Sequence, residues 1–166
     1  MKFTAKLQDA MNEQMRREFN AYYLYLAMSA WLGQRNYRGF ASWMRLQAQE
    51  EASHAMKLFD FIDDRNGDIS LEGIDKPKAE WKSVLAVFEA AKQHEQKVSE
   101  GIYALYELAM AEKDWASQAM LQWFITEQVE EEKTSTEIVA TLRIIGDESS
   151  GLLLYDRELG SRNRAE

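Results

Sequence analysis

Gln47-Ala48-Gln49-Glu50-Glu51-Ala52-Ser53-His54 decides how this chain folds. It lies midway along a segment, 40–64, that contains neither Gly nor Pro. There Phe40, Met44, Gln47, Glu51, His54, Leu58 and Phe61 recur at alternating steps of four and three, the rhythm of a helix seam packed in a bundle. Seam positions belong to the core and should be apolar, yet three consecutive ones are polar. Glu51 and His54, at i and i+3, share one helical face about 5–6 Å apart, close enough to bind one metal ion.

The same rhythm appears in three further segments. From Ala5 to about Gly33 the seam reads Met11, Met15, Glu18, Tyr22, Tyr25, Ser29 and Leu32, with Glu18 its one acidic group. Gly33 to Gly39 is a short connection, so the first two helices should form an antiparallel hairpin. A third helix, from about Ser83 to Glu112, has Val84, Phe88, Ala91, Glu95, Val98, Ile102, Leu105 and Ala109 in its seam, and Glu95 alone is polar. Lys113-Asp114 breaks the pattern, with Asp114 placed to cap a fourth helix that runs to about Gly146. Its seam is Phe124, Gln128, Glu131, Ser135, Ile138, Leu142 and Ile145. In the run Glu130–Glu132 the spacing puts Glu131 inside, Glu132 outside and Glu130 at the boundary.

Between helices two and three lies a long ordered connection, Arg65 to about Lys82. Its DDRNGD cluster fails as a calcium loop, because Ile62 and Gly73 would stand where carboxylates are required. Extended, it spans roughly 60 Å against about 38 Å for the helix before it, enough to return along the bundle and start helix three parallel to helix two. Ser149 to Leu159 reads as a short fifth helix, too short to stand without packing on something. Ser161–Glu166 reads as frayed. The whole is an all-α chain in one domain: a four-helix bundle over about 5–146 plus a C-terminal helix over about 150–160.

Composition excludes several function classes. A single Pro and eight Gly in 166 residues suit long helices rather than a turn-rich β fold. Zero Cys removes disulfides, thiolate metal sites and cysteine nucleophiles. A net charge of −8 disfavours nucleic acid or an anionic membrane as partner and favours cations. No leader-like apolar stretch stands at the N-terminus and no segment approaches a membrane span, so a cytoplasmic location is expected.

Each of the four long helices thus carries its polar seam positions near its own midpoint: Glu18, Glu51 with His54, Glu95, and Gln128 with Glu131. A lone seam Glu reads as a partly exposed boundary residue. Four at one height do not, since buried carboxylates cost several kcal/mol each and repel one another. A pair of divalent cations removes the conflict. Carboxylates with one imidazole and no thiolate suit iron or manganese better than zinc. Glu51, with two oxygens, can bridge two ions. His94, off the helix-three seam, reads as exposed, and Trp123 as packing.

The chain resembles the ferritins, and among them the bacterial non-haem type. Ferritin-like bundles combine a single Glu from each of two helices with Glu-x-x-His from the other two. Here Glu18 and Glu95 are the single glutamates, Glu51-x-x-His54 is the first pair, and Gln128-x-x-Glu131 replaces the second. That replacement is unlike bacterioferritins and rubrerythrin-like peroxidases, and Ala52 stands where bacterioferritins have a haem-holding methionine, so haem is not expected. NEQMRREF, AQEEASHAMKLFDF and LQWFITEQVEEE are also ferritin-like.

The resemblance implies oxidation of Fe(II) to Fe(III) by O2 or H2O2 at a di-iron ferroxidase centre, with a ferric mineral stored inside a 24-subunit cage. One iron would be held by Glu18, Glu51 and His54, the other by Glu51, Glu95 and Glu131, with Gln128 beside it. A third iron site matches Glu50, Glu127 and Glu130, with Glu131 shared. Tyr25 matches a tyrosine beside the iron pair that could donate an electron; position alone fits a packed tyrosine as well. Gln118 and Leu121 stand where animal ferritins line their three-fold pores with acidic residues, so iron should enter elsewhere. The competing reading is a soluble di-iron oxidase or peroxidase of the rubrerythrin-like class that stores no mineral. A third is a bundle whose acidic core binds metal only structurally.

Overall fold

The computed structural model describes residues 3–146 and 148–162. Five helices follow in order: α1 (Ala5–Gln34), α2 (Arg38–Asp64), α3 (Val84–Ala111), α4 (Trp115–Ile145) and α5 (Ser149–Leu159). Among the described residues there is no strand. No helix is long and apolar enough to cross a membrane.

Local chemistry sets the helix ends. Thr4 Oγ1 accepts the Leu7 amide, Ser83 Oγ the Ala86 amide and Asp114 Oδ1 the Ser117 amide, each satisfying an otherwise orphaned N–H. Asn36 and Lys113 end α1 and α3 with left-handed backbone, φ 65° and 55°. The start of α2 has no cap of its own. Its Phe40 amide donates instead to Asp156 Oδ1 of α5 at 2.8 Å. Gly39 permits this approach, since a Cβ there would lie 1.6 Å from the Asp156 carbonyl oxygen. The short fifth helix therefore packs on the N-terminal end of α2.

The connection between α2 and α3 runs back along α1. Asp68, Ser70 and Asp75 donate their amides to the side chains of Gln8, Asn12 and Asn20, and Trp81 reaches Trp31 edge-on at 6.1 Å. α3 consequently begins beside the start of α2, with Phe88 against Phe40 and Trp43, and runs parallel to it. α1 pairs with α2, and α3 with α4.

The apolar interior falls into two clusters. One joins Tyr25, Met28, Phe40, Met44, Phe88, Ala91 and Ile138; the other joins Met11, Met15, Ala55, Leu58, Val98, Ile102 and Phe124. The α3 seam is buried throughout; in α2 Ile62 takes the buried place expected of Phe61, which is half-buried. The C-terminal tail departs from the expected fraying: Ser161 and Arg162 are placed, and Arg162 bonds back to α2. The rest of that expectation, residues 163–166, lies outside the described residues.

Candidate metal centre

Glu18, Glu51, His54, Glu95, Gln128 and Glu131 are all buried, Glu18 completely. They occupy the level between the two apolar clusters, where Glu18 follows Met15 of one and precedes Tyr25 of the other. Among the described residues one group of three or more potential ligands has its atoms within 4.8 Å of one another: Glu18, Glu51 and His54. His54 Nδ1 lies 3.5 Å from Glu51 Oε2. Gln14, one turn before Glu18, donates to Glu18 Oε1 at 2.7 Å, while Glu18 Oε2 is buried without a partner. An unpartnered carboxylate oxygen in a protein interior is costly unless a cation meets it.

Glu95 and Glu131 are not part of that tight group. Glu95 is taken up by hydrogen bonds: Tyr25 Oη donates to Oε1 and Gln128 Nε2 to Oε2 at 3.4 Å. Gln128 Nε2 also reaches the Glu95 carbonyl at 3.3 Å and Ser99 Oγ at 3.2 Å.

The electrostatics follow from crowding acids into low dielectric. Burial, then the nearby charge of Glu51, pushes Glu18 up to about 8. Burial with the charge of Glu95 carries Glu131 up to about 7. Glu51 rises well above the ordinary range through burial and the charges of Glu95 and Glu131. Burial raises Glu95 too, held back by the bonds from Tyr25 and Gln128. Burial first, then Glu95, lifts the Tyr25 phenol as well. At about 8 Glu18 favours its protonated form at neutral pH, whereas Glu95 and Glu131, at about 7, divide between the two forms.

The outer acids are arranged differently from the sequence expectation. Glu130 is exposed rather than at the boundary, and Glu132 is half-buried rather than outside, because it accepts a hydrogen bond from Ser99 of α3. Glu127 is half-buried beside a large open cleft of about 1020 Å³ that is also lined by Glu50, His54, Lys57 and Trp123. Glu50 is engaged by Arg162 through both carboxylate oxygens.

His94 is not exposed as expected. It is half-buried, its ring meets Tyr25 edge-on at 6.2 Å, and its Nε2 is buried and unpartnered. One position off the seam still faces the neighbouring helix. Burial lowers its pKa to about 4, so the ring is neutral. Trp123 is 38% exposed and packs edge-on to His54 at 5.3 Å. Leu121 is fully buried in the core, while Gln118 donates to the Ala109 carbonyl. Sequence reasoning missed Gln14, Ser99 and Arg162. Gln14 alone carried a signal, a polar residue one turn before a seam glutamate.

A helical bundle with a buried cradle of two carboxylates and an imidazole is a metal-binding protein. The family model for the ferritin-like domain matches residues 8–145, and the chain belongs to that family. Among its relatives, the bacterial non-heme ferritin of Staphylococcus saprophyticus is 42% identical over 95% of each chain. That of Staphylococcus aureus is 38% identical over 94% of each. Among solved structures, an open-pore ferritin from the hyperthermophilic archaeon Archaeoglobus fulgidus is similar at a TM-score of 0.96 and 43% identity, covering 98% of this chain and 100% of that one.

Proposed function

We propose that this chain is an iron-storage ferritin that oxidises its own cargo. The observation that carries the reading is the Glu18–Glu51–His54 group, buried at mid-bundle with Glu18 Oε2 unpartnered, in a chain of the ferritin family. Ferrous iron binds first there, displacing protons from Glu18 and Glu51. A second ion takes Glu51, Glu95 and Glu131, with Gln128 beside it. Each ferrous ion gives up one electron, so two adjoining ions and two protons convert O2 to H2O2. Ferric iron then moves to a mineral held inside a homo-oligomeric cage of 24 copies.

The remaining residues take supporting roles. Gln14 orients Glu18, and Gln128 with Tyr25 orients Glu95. Tyr25, hydrogen-bonded to Glu95, stands where it can lend an electron. Glu50, Glu127 and Glu130, with Glu131, form a third, weaker iron position. Leu121, sealed in the core, offers no acidic pore lining, which favours iron entering at another place in the wall. The reading puts the protein in the cytoplasm.

An aerobic ferrous titration of metal-free protein tests the proposal. Ferric absorbance should keep growing well past about two irons per chain. Growth that stops there makes the protein a di-iron oxidase or peroxidase acting on another substrate; metal binding without oxygen consumption makes the site structural.

A further inference from the structure

The last described residue of the chain makes contacts out of keeping with its position. Arg162 Nη2 lies 2.8 Å from Glu50 Oε1 and 2.7 Å from Oε2, a two-oxygen clamp. Its Nη1 donates to Gln47 Oε1 at 3.0 Å, and its guanidinium carbon stands 5.0 Å over the Trp43 ring. Gln47 is fully buried and passes the contact inward, Nε2 donating to Glu51 Oε1 at 3.3 Å. One guanidinium thus joins the C-terminal arm to the carboxylate at the centre of the bundle.

The arm arrives there by design of the fold. Asp156 caps α2 and Gly160 lies against Gly39, which fixes the chain two residues before Arg162. A charge tethered so closely is present at high effective concentration.

We propose that Arg162 is a built-in counter-cation that competes with metal for Glu50, and a positioning residue that fixes the Gln47 amide toward Glu51. The competition rests on the reading of Glu50 as an iron ligand. Arg162 contacts both Glu50 oxygens, so a metal ion that takes Glu50 meets the guanidinium's charge and displaces at least one of those contacts. A cation that takes Glu50 therefore releases the arm. Release of the arm in turn strengthens cation binding by the same factor, because coupling between two sites is reciprocal. With Arg162 in place, Gln47 Oε1 is occupied and its N–H groups face the core acids. Once Arg162 leaves, the amide is free to rotate. Filling of the outer position is thereby linked to a change beside Glu51.

The test is a luminescence titration of the metal-free assembled protein with Tb3+, an oxygen-seeking ion, in wild type, R162Q, R162K and E50Q. R162Q should tighten the weakest class of sites about two- to tenfold. R162K, keeping the charge without the fork, should fall between. E50Q should abolish that class. In wild type, Tb3+ should also speed amide exchange over residues 156–162. An R162Q isotherm superimposable on wild type, with the class still lost in E50Q, overturns the inference and leaves the third-site reading intact. An E50Q isotherm that matches wild type removes Glu50 as a ligand, and both readings fall with it.

Discussion

The two halves of the buried centre solve the same electrostatic problem in opposite ways. The α1–α2 half holds Glu18, Glu51 and His54 close together and leaves Glu18 Oε2 without a partner. The α3–α4 half has its carboxylate already bonded: Glu95 accepts from Tyr25 of α1 and from Gln128, and Gln128 donates in turn to Ser99. An oxygen that is unsatisfied favours a cation outright, whereas one already bonded has to exchange partners. On the proposed function the halves should be unequal sites, the first binding more tightly and the second depending on rearrangement. Glu51 faces both.

That inequality can be broken experimentally. Glu51→Ala removes the carboxylate that the proposed function assigns to both irons and should slow the initial ferrous oxidation rate at least ~100-fold, measured by ferric absorbance. Unaltered kinetics would remove Glu51 from the mechanism.

Next in size is the pH dependence of the metal-free protein. Glu18, Glu51, Glu95 and Glu131 have folded pKa values above their unfolded ones, so the native state holds more protons than the unfolded chain. Stability is then greatest in mild acid and falls as pH rises from about 4.5 towards 8, by a few kcal/mol in all. Thermal melting across that range reads it. Bound metal reverses the slope, since the ligands then favour the ionised form.

A smaller effect separates the halves directly. In Zn2+ calorimetry Glu18→Gln should weaken the first binding event about tenfold, whereas Glu95→Gln spares it and weakens the second. Equal damage to the first event by both variants would refute the asymmetry.

The smallest effects concern α5, which packs mainly on α2 and to a lesser extent on α4. Gly39→Ala drives a Cβ into the Asp156 carbonyl and should cost about 1–3 kcal/mol. Asp156→Ala, which only removes the remote cap from Phe40, should cost about 1 kcal/mol in chemical denaturation.

Much of this was legible because helical periodicity and burial are coupled. The steps of four and three that placed Glu18, Glu51, Glu95 and Glu131 on seams are the same geometry that turns one face of each helix to the core. Asp114 could be read as a cap because capping is local in sequence. What stayed hidden depends on distance along the chain. Glu50 and Arg162 are far apart in sequence, and nothing in either neighbourhood announces their pairing. The exchange of expectations at Glu130 and Glu132 has the same origin, since Ser99 on another helix draws Glu132 inward. His94 shows the limit of seam arithmetic: a bundle buries more of each helix than its central stripe, and Tyr25 covers the neighbouring position.

The connection laid along α1 has a consequence in time. Each hairpin, α1 with α2 and α3 with α4, is built from neighbours in sequence and can form quickly. The chain between them lies in the folded protein against Gln8, Asn12 and Asn20 of α1. Glu18, Glu51 and His54 all come from the first hairpin, whereas Glu95 and Glu131 join them only when the second has docked. Interactions made after the rate-limiting step slow unfolding rather than hasten folding. Metal contacts that need both hairpins should therefore make loaded protein outlast metal-free protein.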